Sequence, residues 1–142
     1  MKYFVTGVSG QLGHDVMNEL AKRGYEGVGS DIAPAYGGVQ DGTAVTTMPY
    51  VSLDITDKAA VEKVITDVNP DVIVHCAAWT AVDMAEDDDK VAKVRAVNTG
   101  GTQNIADAAK KLNCKMIYIS TDYVFNGQAQ SPGSLTAKTM LR

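Results

Sequence analysis

Short apolar runs alternate along the chain with longer stretches in which apolar residues recur at helical spacing. The runs are rich in β-branched and aromatic residues, which are typical of strands, and each longer stretch has one apolar face, which indicates an amphipathic helix. The pattern predicts the order β-α-β-β-α-β-α-β, with strands at 2–6, 25–30, 50–53, 72–74 and 116–119, and helices at 11–23, from Asp57 to Asn69, and at about 88–112.

Strands separated by helices predict a parallel sheet with helices on both faces. Residues 72–74 show no alternation with polar residues, as expected of a strand that is buried on both sides. Right-handed crossovers favour a doubly wound sheet with the strand order 3-2-1-4-5. Residues 33–49, rich in Gly, Ala, Pro and Thr, are predicted to form a long, mobile loop.

Two residues mark the predicted helix ends. Gly24 follows the first helix and is expected to be its C-cap. Asp57 is expected to cap the start of the second helix, and Asn-Pro-Asp at 69–71 is expected to break it.

Composition fits one ordinary globular domain. The chain has 142 residues, of which 45% are hydrophobic and 21% charged, and these values argue against disordered, collagen-like and coiled-coil chains. The net charge is −4 and the 13 Lys and Arg residues are scattered, so we expect no nucleic-acid partner. No apolar run approaches the roughly 18 residues of a membrane span. The N-terminus lacks the plan of a signal peptide, so we expect no membrane partner and a cytoplasmic location.

Cys76 and Cys114 have no CxxC spacing. Two buried thiols are favoured over a disulfide, which stays an alternative.

The strongest local motif is Gly7-Val-Ser-Gly10-Gln11-Leu12-Gly13, between the first strand and the first helix. Glycines permit a tight turn there and let backbone amides approach a pyrophosphate at the start of the helix. Asp31, 18 residues after Gly13, can accept a hydrogen bond from a ribose 2′-hydroxyl and would repel a 2′-phosphate. The motif predicts a dinucleotide site that favours NAD(H) over NADP(H), and a glycine turn without a ligand is the alternative.

The ends of the other strands carry further candidates. Asp54 could accept from an adenine amino group and Ile55 could pack on its ring, unless Asp54 only caps the helix near Asp57. His75 is interpreted as a packed strand-end residue rather than a catalytic base. The role of Trp79 stays open between core filler and pocket wall.

Two polar segments can each be explained without a bound ligand. The hydroxyl side chains of Ser120 and Thr121 could hydrogen-bond a substrate carbonyl at the crevice, and a simple turn is the alternative. The acidic run at 86–89 is interpreted as a solvated helix start, and we expect no metal site.

Four segments together resemble the dTDP-4-dehydrorhamnose reductase family of the extended short-chain dehydrogenase/reductase superfamily. They are Gly7–Gly13, Ala77–Glu86 (AAWTAVDMAE), Val97–Ala106 (VNTGGTQNIA) and Ser120–Gly127 (STDYVFNG). The resemblance covers residues 1–127 almost continuously. It implies a Rossmann-like fold and an NAD(P)H-dependent reduction of the 4-keto group of dTDP-4-dehydro-L-rhamnose to dTDP-L-rhamnose.

The resemblance also implies roles for individual residues. Thr121 matches the family's catalytic Ser/Thr, which orients and polarises the keto oxygen. The residues expected to border the nucleotide-sugar substrate are Val82, Asp122 and Tyr123. Those expected to bind the cofactor are Gly7, Gly10, Gln11, Leu12, Gly13, Asp31, Asp54, Ile55, Ala77, Ala78, Thr80 and Asn98.

The sequence departs from the family's pattern after residue 127. The family's proton donor is a Tyr in a Tyr-x-x-x-Lys motif, and none of the six tyrosines here has Lys four residues later. We therefore expect a Rossmann-like cofactor-binding domain at 1–127 and an atypical tail at 128–142, without the family's substrate domain. Such a chain would be inactive alone.

Three alternatives stay open. One is a non-catalytic subunit that resembles the regulatory subunit of methionine adenosyltransferase, and another is an epimerase or dehydratase of the same superfamily. A homodimer is also open.

Overall fold

The computed structural model describes residues 1–37, 48–78 and 88–120. These residues form a five-stranded parallel sheet in the order β3-β2-β1-β4-β5, which confirms the predicted doubly wound order. The strands are β1 (Lys2–Thr6), β2 (Glu26–Asp31), β3 (Tyr50–Ser52), β4 (Val72–His75) and β5 (Lys115–Tyr118). The helices are α1 (Gln11–Lys22), α2 (Lys58–Val68), α3 (Asp88–Arg95) and α4 (Thr102–Leu112), with a π-helical segment at Ala96–Gly101.

The core has two halves because the central strands are buried on both sides. Phe4 of β1 and Ile73 of β4 face α2 and α4, whereas Val5 and Val74 face α1. Phe4, Val5 and Ile73 are completely buried, and burial of such a side chain contributes about 1.5–3 kcal/mol. The apolar run at 72–74 is therefore buried on both faces, as the absence of alternation predicted.

Of the two predicted helix caps, one is shifted by one residue and the other is confirmed. The C-cap of α1 is Arg23 rather than Gly24, and Gly24 follows it with φ +71°. This backbone lets Tyr25 donate its N–H to the carbonyl of Leu20 at 2.9 Å, a Schellman closure that needs a left-handed residue at position 24. The predicted cap at Asp57 is confirmed, since its side chain accepts from the N–H of Ala60.

The long helical stretch predicted at about 88–112 is confirmed, and its middle part is π-helical rather than α-helical. Residues Ala96–Gly101 form a π-helical segment between α3 and α4. Gly101 has no side chain, and a Cβ there would lie 2.5 Å from Cδ1 of Ile55. The π-helical segment thus ends at a close contact with Ile55, a tertiary contact that helical periodicity does not report. Such π-helical turns occur often at functional sites.

Most of the loop predicted at 33–49 lies outside the described residues. Within the part of the chain that the structure describes, no helix is long and apolar enough to cross a membrane.

Candidate cofactor-binding site

The carboxyl ends of the five parallel strands meet at one edge of the sheet. The glycine-rich turn follows β1 there, Asp31 ends β2, and Ala77 lies just beyond β4. The strand order reverses direction at β1, whose neighbours are β2 on one side and β4 on the other. In doubly wound sheets, ligands bind in the crevice at this switch point.

The glycine-rich turn packs tightly against the end of β4. Gly7 has φ +74°, a left-handed conformation that favours glycine. Its N–H donates to the carbonyl of Ser30 at 2.8 Å, which fastens the turn to β2. A Cβ at Gly7 would lie 2.6 Å from the backbone nitrogen of Ala77. Glycine at position 7 is therefore required by the fold itself.

The other two glycines of the turn differ in what the fold demands. A Cβ at Gly13 would lie 2.2 Å from the carbonyl oxygen of Gly7, so packing excludes a side chain. A Cβ at Gly10 would meet the same oxygen at 3.4 Å, an ordinary contact, and Gly10 has φ −84°, which any residue adopts. The protein's own packing does not require glycine at position 10, and close approach of another group to the turn would require it.

The first turn of α1 fits an anionic group at this place. Gly10 is the N-cap and makes no side-chain cap, so no capping side chain competes for the N–H groups at the start of the helix. The N–H groups and the helix dipole favour a phosphate there. Gln11 and Leu12 are exposed in this turn, with Leu12 46% exposed.

Asp31 joins the end of β2 to the glycine-rich turn. Its Oδ2 accepts from the N–H of Ser9 at 2.9 Å, and its Oδ1 accepts from the N–H of Ile32 at 2.7 Å. Tyr50 donates its hydroxyl to the Asp31 carbonyl at 3.1 Å. A carboxylate has about four acceptor sites, so two of them are used and the others can still accept from a ligand.

Ile32 was not among the residues predicted to bind the cofactor. This large apolar side chain is 70% exposed and follows Asp31 at the carboxyl edge. The contact of Ile55 with adenine stays a prediction. Ile55 is 8% exposed and belongs to the core. Its carbonyl accepts from Nδ2 of Asn104 at 2.9 Å, which fixes the loop against α4.

Asp54 and Asp57 have different local roles. Oδ1 of Asp54 accepts from both the N–H and the hydroxyl of Thr56, at 2.9 and 2.7 Å. Asp57, and not Asp54, is the N-cap of α2. Asp54 is exposed, and its contact with adenine stays a prediction.

His75 is confirmed as a packed strand-end residue. It is 1% exposed, with Nδ1 2.7 Å from the Thr6 hydroxyl oxygen and Nε2 3.0 Å from that of Thr102. Its ring stacks on Tyr118 with centroids 5.9 Å apart. Burial lowers the pKa of His75 to about 4, so it is neutral at pH 7 and its two nitrogens are already used.

The remaining predicted residues fall into two groups. Ala77 is half-buried and Ala78 exposed just beyond β4, and Asn98 is half-buried in the π-helical segment. Trp79, Thr80, Val82, the acidic residues Glu86 and Asp87, Thr121, Asp122, Tyr123 and the tail 128–142 lie outside the described residues.

Cys76 and Cys114 are free and partly buried, which confirms thiols rather than a disulfide. Burial raises the pKa of Cys76.

Residues 1–37, 48–78 and 88–120 contain no group of three or more His, Cys, Asp or Glu side chains that could hold a metal ion.

The strand order and the glycine-rich turn at its switch point define a Rossmann-like α/β domain. Comparison with known proteins then gives the family. Residues 1–140 match the family model described as "RmlD substrate binding domain", and the chain belongs to that family. This confirms the resemblance inferred from the four sequence segments.

Similar proteins include enzymes that are much longer than this chain. A curated dTDP-4-dehydrorhamnose reductase of Streptomyces griseus is 37% identical over 92% of this chain, which spans 36% of that protein. A dTDP-4-dehydrorhamnose reductase of Bacillus anthracis in complex with NADP is 31% identical over 90% of this chain and 39% of its own, with a TM-score of 0.67. The enzyme WbmH of Bordetella bronchiseptica in complex with NAD+ is 30% identical over 88% of this chain and 40% of its own, with a TM-score of 0.72.

Proposed function

We propose that this chain is the dinucleotide-binding part of a reductase that converts the 4-keto group of dTDP-4-dehydro-L-rhamnose to a hydroxyl, giving dTDP-L-rhamnose. The observation that carries the proposal is the space around Gly10. The fold itself leaves room for a Cβ at this position, whereas a pyrophosphate bound close to the turn would leave none. The reductases among the similar proteins support the substrate class. When bound, a nicotinamide dinucleotide supplies the hydride for such a reduction.

The chain's own residues bind and orient the dinucleotide in this proposal. The amides at 10–13 face the pyrophosphate, and Asp31 accepts from the ribose hydroxyls with its unused acceptor sites. Asp54 and the exposed Ile32 would contact the adenine, and the contact of Ile55 would be limited to the small part of its side chain that is exposed. Ala77, Ala78, Thr80 and Asn98 would line the groove, and the small alanine side chains would leave room for the ribose and phosphates.

The substrate end of the site rests on the family resemblance. Thr121 would hydrogen-bond the keto oxygen and so hold the carbonyl carbon towards the nicotinamide. Val82, Asp122 and Tyr123 would border the sugar. Because the chain spans about a third of the Streptomyces griseus reductase, we propose that residues 1–127 bind the cofactor and that the 142 residues alone do not turn over substrate.

We propose NADH as the preferred cofactor. The Asp31 carboxylate is fixed beside the turn by Ser9 at 2.9 Å. A 2′-phosphate at the same place would bring two like charges together, which is unfavourable.

A titration of the 142-residue chain with NADH and NADPH tests the proposal. The expected result is saturable binding that Gly10→Ala weakens by roughly tenfold or more, because a methyl group would occupy space needed by the pyrophosphate. Gly37→Ala is the matched control, since a Cβ there meets nothing within 4 Å. Equal affinities for the unaltered chain and Gly10→Ala, or no binding by the unaltered chain, would contradict the proposal.

A further inference from the structure

Three side chains from distant parts of the sequence meet beneath the candidate cleft. The His75 ring lies between Thr6 at the end of β1 and Thr102 at the start of α4, at 2.7 and 3.0 Å. His75 and Thr6 are each 1% exposed. An imidazole that is buried with both nitrogens hydrogen-bonded is a fixed bridge between the elements that it joins.

The contact with Ala77 favours one direction for each hydrogen bond. The N–H of Ala77 donates to the Thr6 hydroxyl oxygen at 3.2 Å. The Thr6 hydroxyl can then donate to Nδ1 of His75, and Nε2–H of His75 can donate to the Thr102 hydroxyl oxygen. In this arrangement the N–H of Ala77, the Thr6 hydroxyl and Nε2–H of a neutral imidazole each have an acceptor.

The bridge joins the end of β1 to the start of α4. Thr6 directly precedes Gly7, and the backbone of Ala77 packs against Gly7. Thr102 directly follows the π-helical segment that contains Asn98. The imidazole therefore connects the two sides through two side-chain hydrogen bonds.

We propose that His75 is a positioning residue, and that the Thr6–His75–Thr102 bridge holds the π-helical segment at a fixed distance from the glycine-rich turn and thereby sets the affinity for the dinucleotide. This inference rests on the proposed function. It assigns His75 an effect on binding without contact with the ligand, which separates it from both a catalytic base and a simple filler of the core.

Substitutions at Thr102 test the bridge with the least disturbance, because Thr102 is half-buried whereas Thr6 and His75 are fully buried. Thr102→Val keeps the shape and removes the hydroxyl. We expect it to raise the Kd for NADH roughly fivefold, the effect of about one hydrogen bond, at a temperature where the variant is fully folded. Thr102→Ser restores the hydroxyl and should restore the Kd to within about twofold. Thr66→Val, at an exposed position of α2, is the matched control.

A second readout reports the bridge without a ligand. In ¹⁵N spectra of the imidazole, the unaltered chain and Thr102→Ser should show the Nε2–H tautomer of His75, and Thr102→Val should lose this single tautomer. A Thr102→Val variant that melts earlier but binds NADH as the unaltered chain does would overturn the inference and leave a purely structural role. If the unaltered chain binds neither dinucleotide, the proposed function fails, and the inference fails with it.

Discussion

Oδ2 of Asp31 lies 2.9 Å from the backbone nitrogen of Ser9, so the end of β2 is hydrogen-bonded to the glycine-rich turn after β1. The carboxylate is therefore held in one orientation before any ligand arrives. In the proposed site this fixes a negative charge beside the adenosine ribose. The same contact makes Asp31 part of the structure of the turn, so a substitution has to preserve the acceptor while it removes the charge.

Asp31→Asn removes the charge and keeps one oxygen for the N–H of Ser9. We expect the preference for NADH over NADPH to fall roughly tenfold, because the repulsion of a 2′-phosphate is lost. The measurement is the ratio of the two Kd values. Asp67→Asn is the control, since it removes an exposed carboxylate that pairs with Lys63 on α2. An unchanged ratio would show that Asp31 does not select the cofactor.

Asp54 and Asp57 can be separated by paired alanine variants. Asp57→Ala should lower the free energy of unfolding by about 1 kcal/mol, because it removes the N-cap of α2, and should leave the Kd for NADH unchanged. Asp54→Ala should weaken NADH binding by roughly fivefold, the effect of about one hydrogen bond to adenine, with a smaller loss of stability. Urea unfolding and NADH titration of both variants check this. If Asp54→Ala lowers stability and leaves the Kd for NADH unchanged, Asp54 has a structural role only.

The glycines of the turn should differ in their effect on stability. Gly13→Ala should cost about 3 kcal/mol, because the added Cβ would meet the Gly7 carbonyl oxygen at 2.2 Å. Gly24→Ala, where nothing lies within 4 Å and only φ +71° is unfavourable, should cost about 1 kcal/mol. Thermal unfolding of the two variants gives the comparison. Equal losses would mean that the turn relaxes around a side chain.

Stability should depend on pH through His75. The pKa of His75 is lowered from near 6.5 to about 4 by burial, so the unfolded chain binds the proton more readily between these values. The free energy of unfolding should therefore rise with pH between about 4 and 6.5. The contribution of the neutral His75, about 3 kcal/mol, is complete above pH 6.5 and is lost as the pH falls to 4. Urea unfolding across this range measures the slope.

One variant tests whether His75 is responsible for that slope. His75→Asn should flatten it between pH 5 and 6.5, the part of the window above the ordinary range of carboxylates. A slope that is unchanged in His75→Asn would contradict the assignment.

The sequence was sufficient for the sheet order, because apolar runs and helical stretches report which segments are buried. The glycine-rich turn and Asp31 were also found from local pattern alone. The contact of Ile55 with the adenine ring stays a prediction, and the structure adds that the Ile55 side chain packs in the core against Gly101. That contact joins residues from separate elements. Periodicity shows that a residue is apolar and cannot show which neighbour it meets.

The different requirements at Gly7, Gly10 and Gly13 were equally invisible in the sequence. All three occupy the same motif, and only the distances to the Gly7 carbonyl oxygen and the Ala77 nitrogen distinguish them. The bridge through His75 likewise needed the pairing of Thr6 with His75, which are 69 residues apart.

The central position of β1 also affects how its pairing is completed during synthesis. β1 pairs with β2 on one edge and with β4 on the other, with Thr6 opposite His75. β1 is made before β4, and it completes its pairing only after the 65 residues between the two strands have followed. Contacts so distant in sequence form late and slowly. Until then one edge of the strand that bears the glycine-rich turn is open to other chains, so newly made protein is most vulnerable to misassociation at the strand that later lies at its centre.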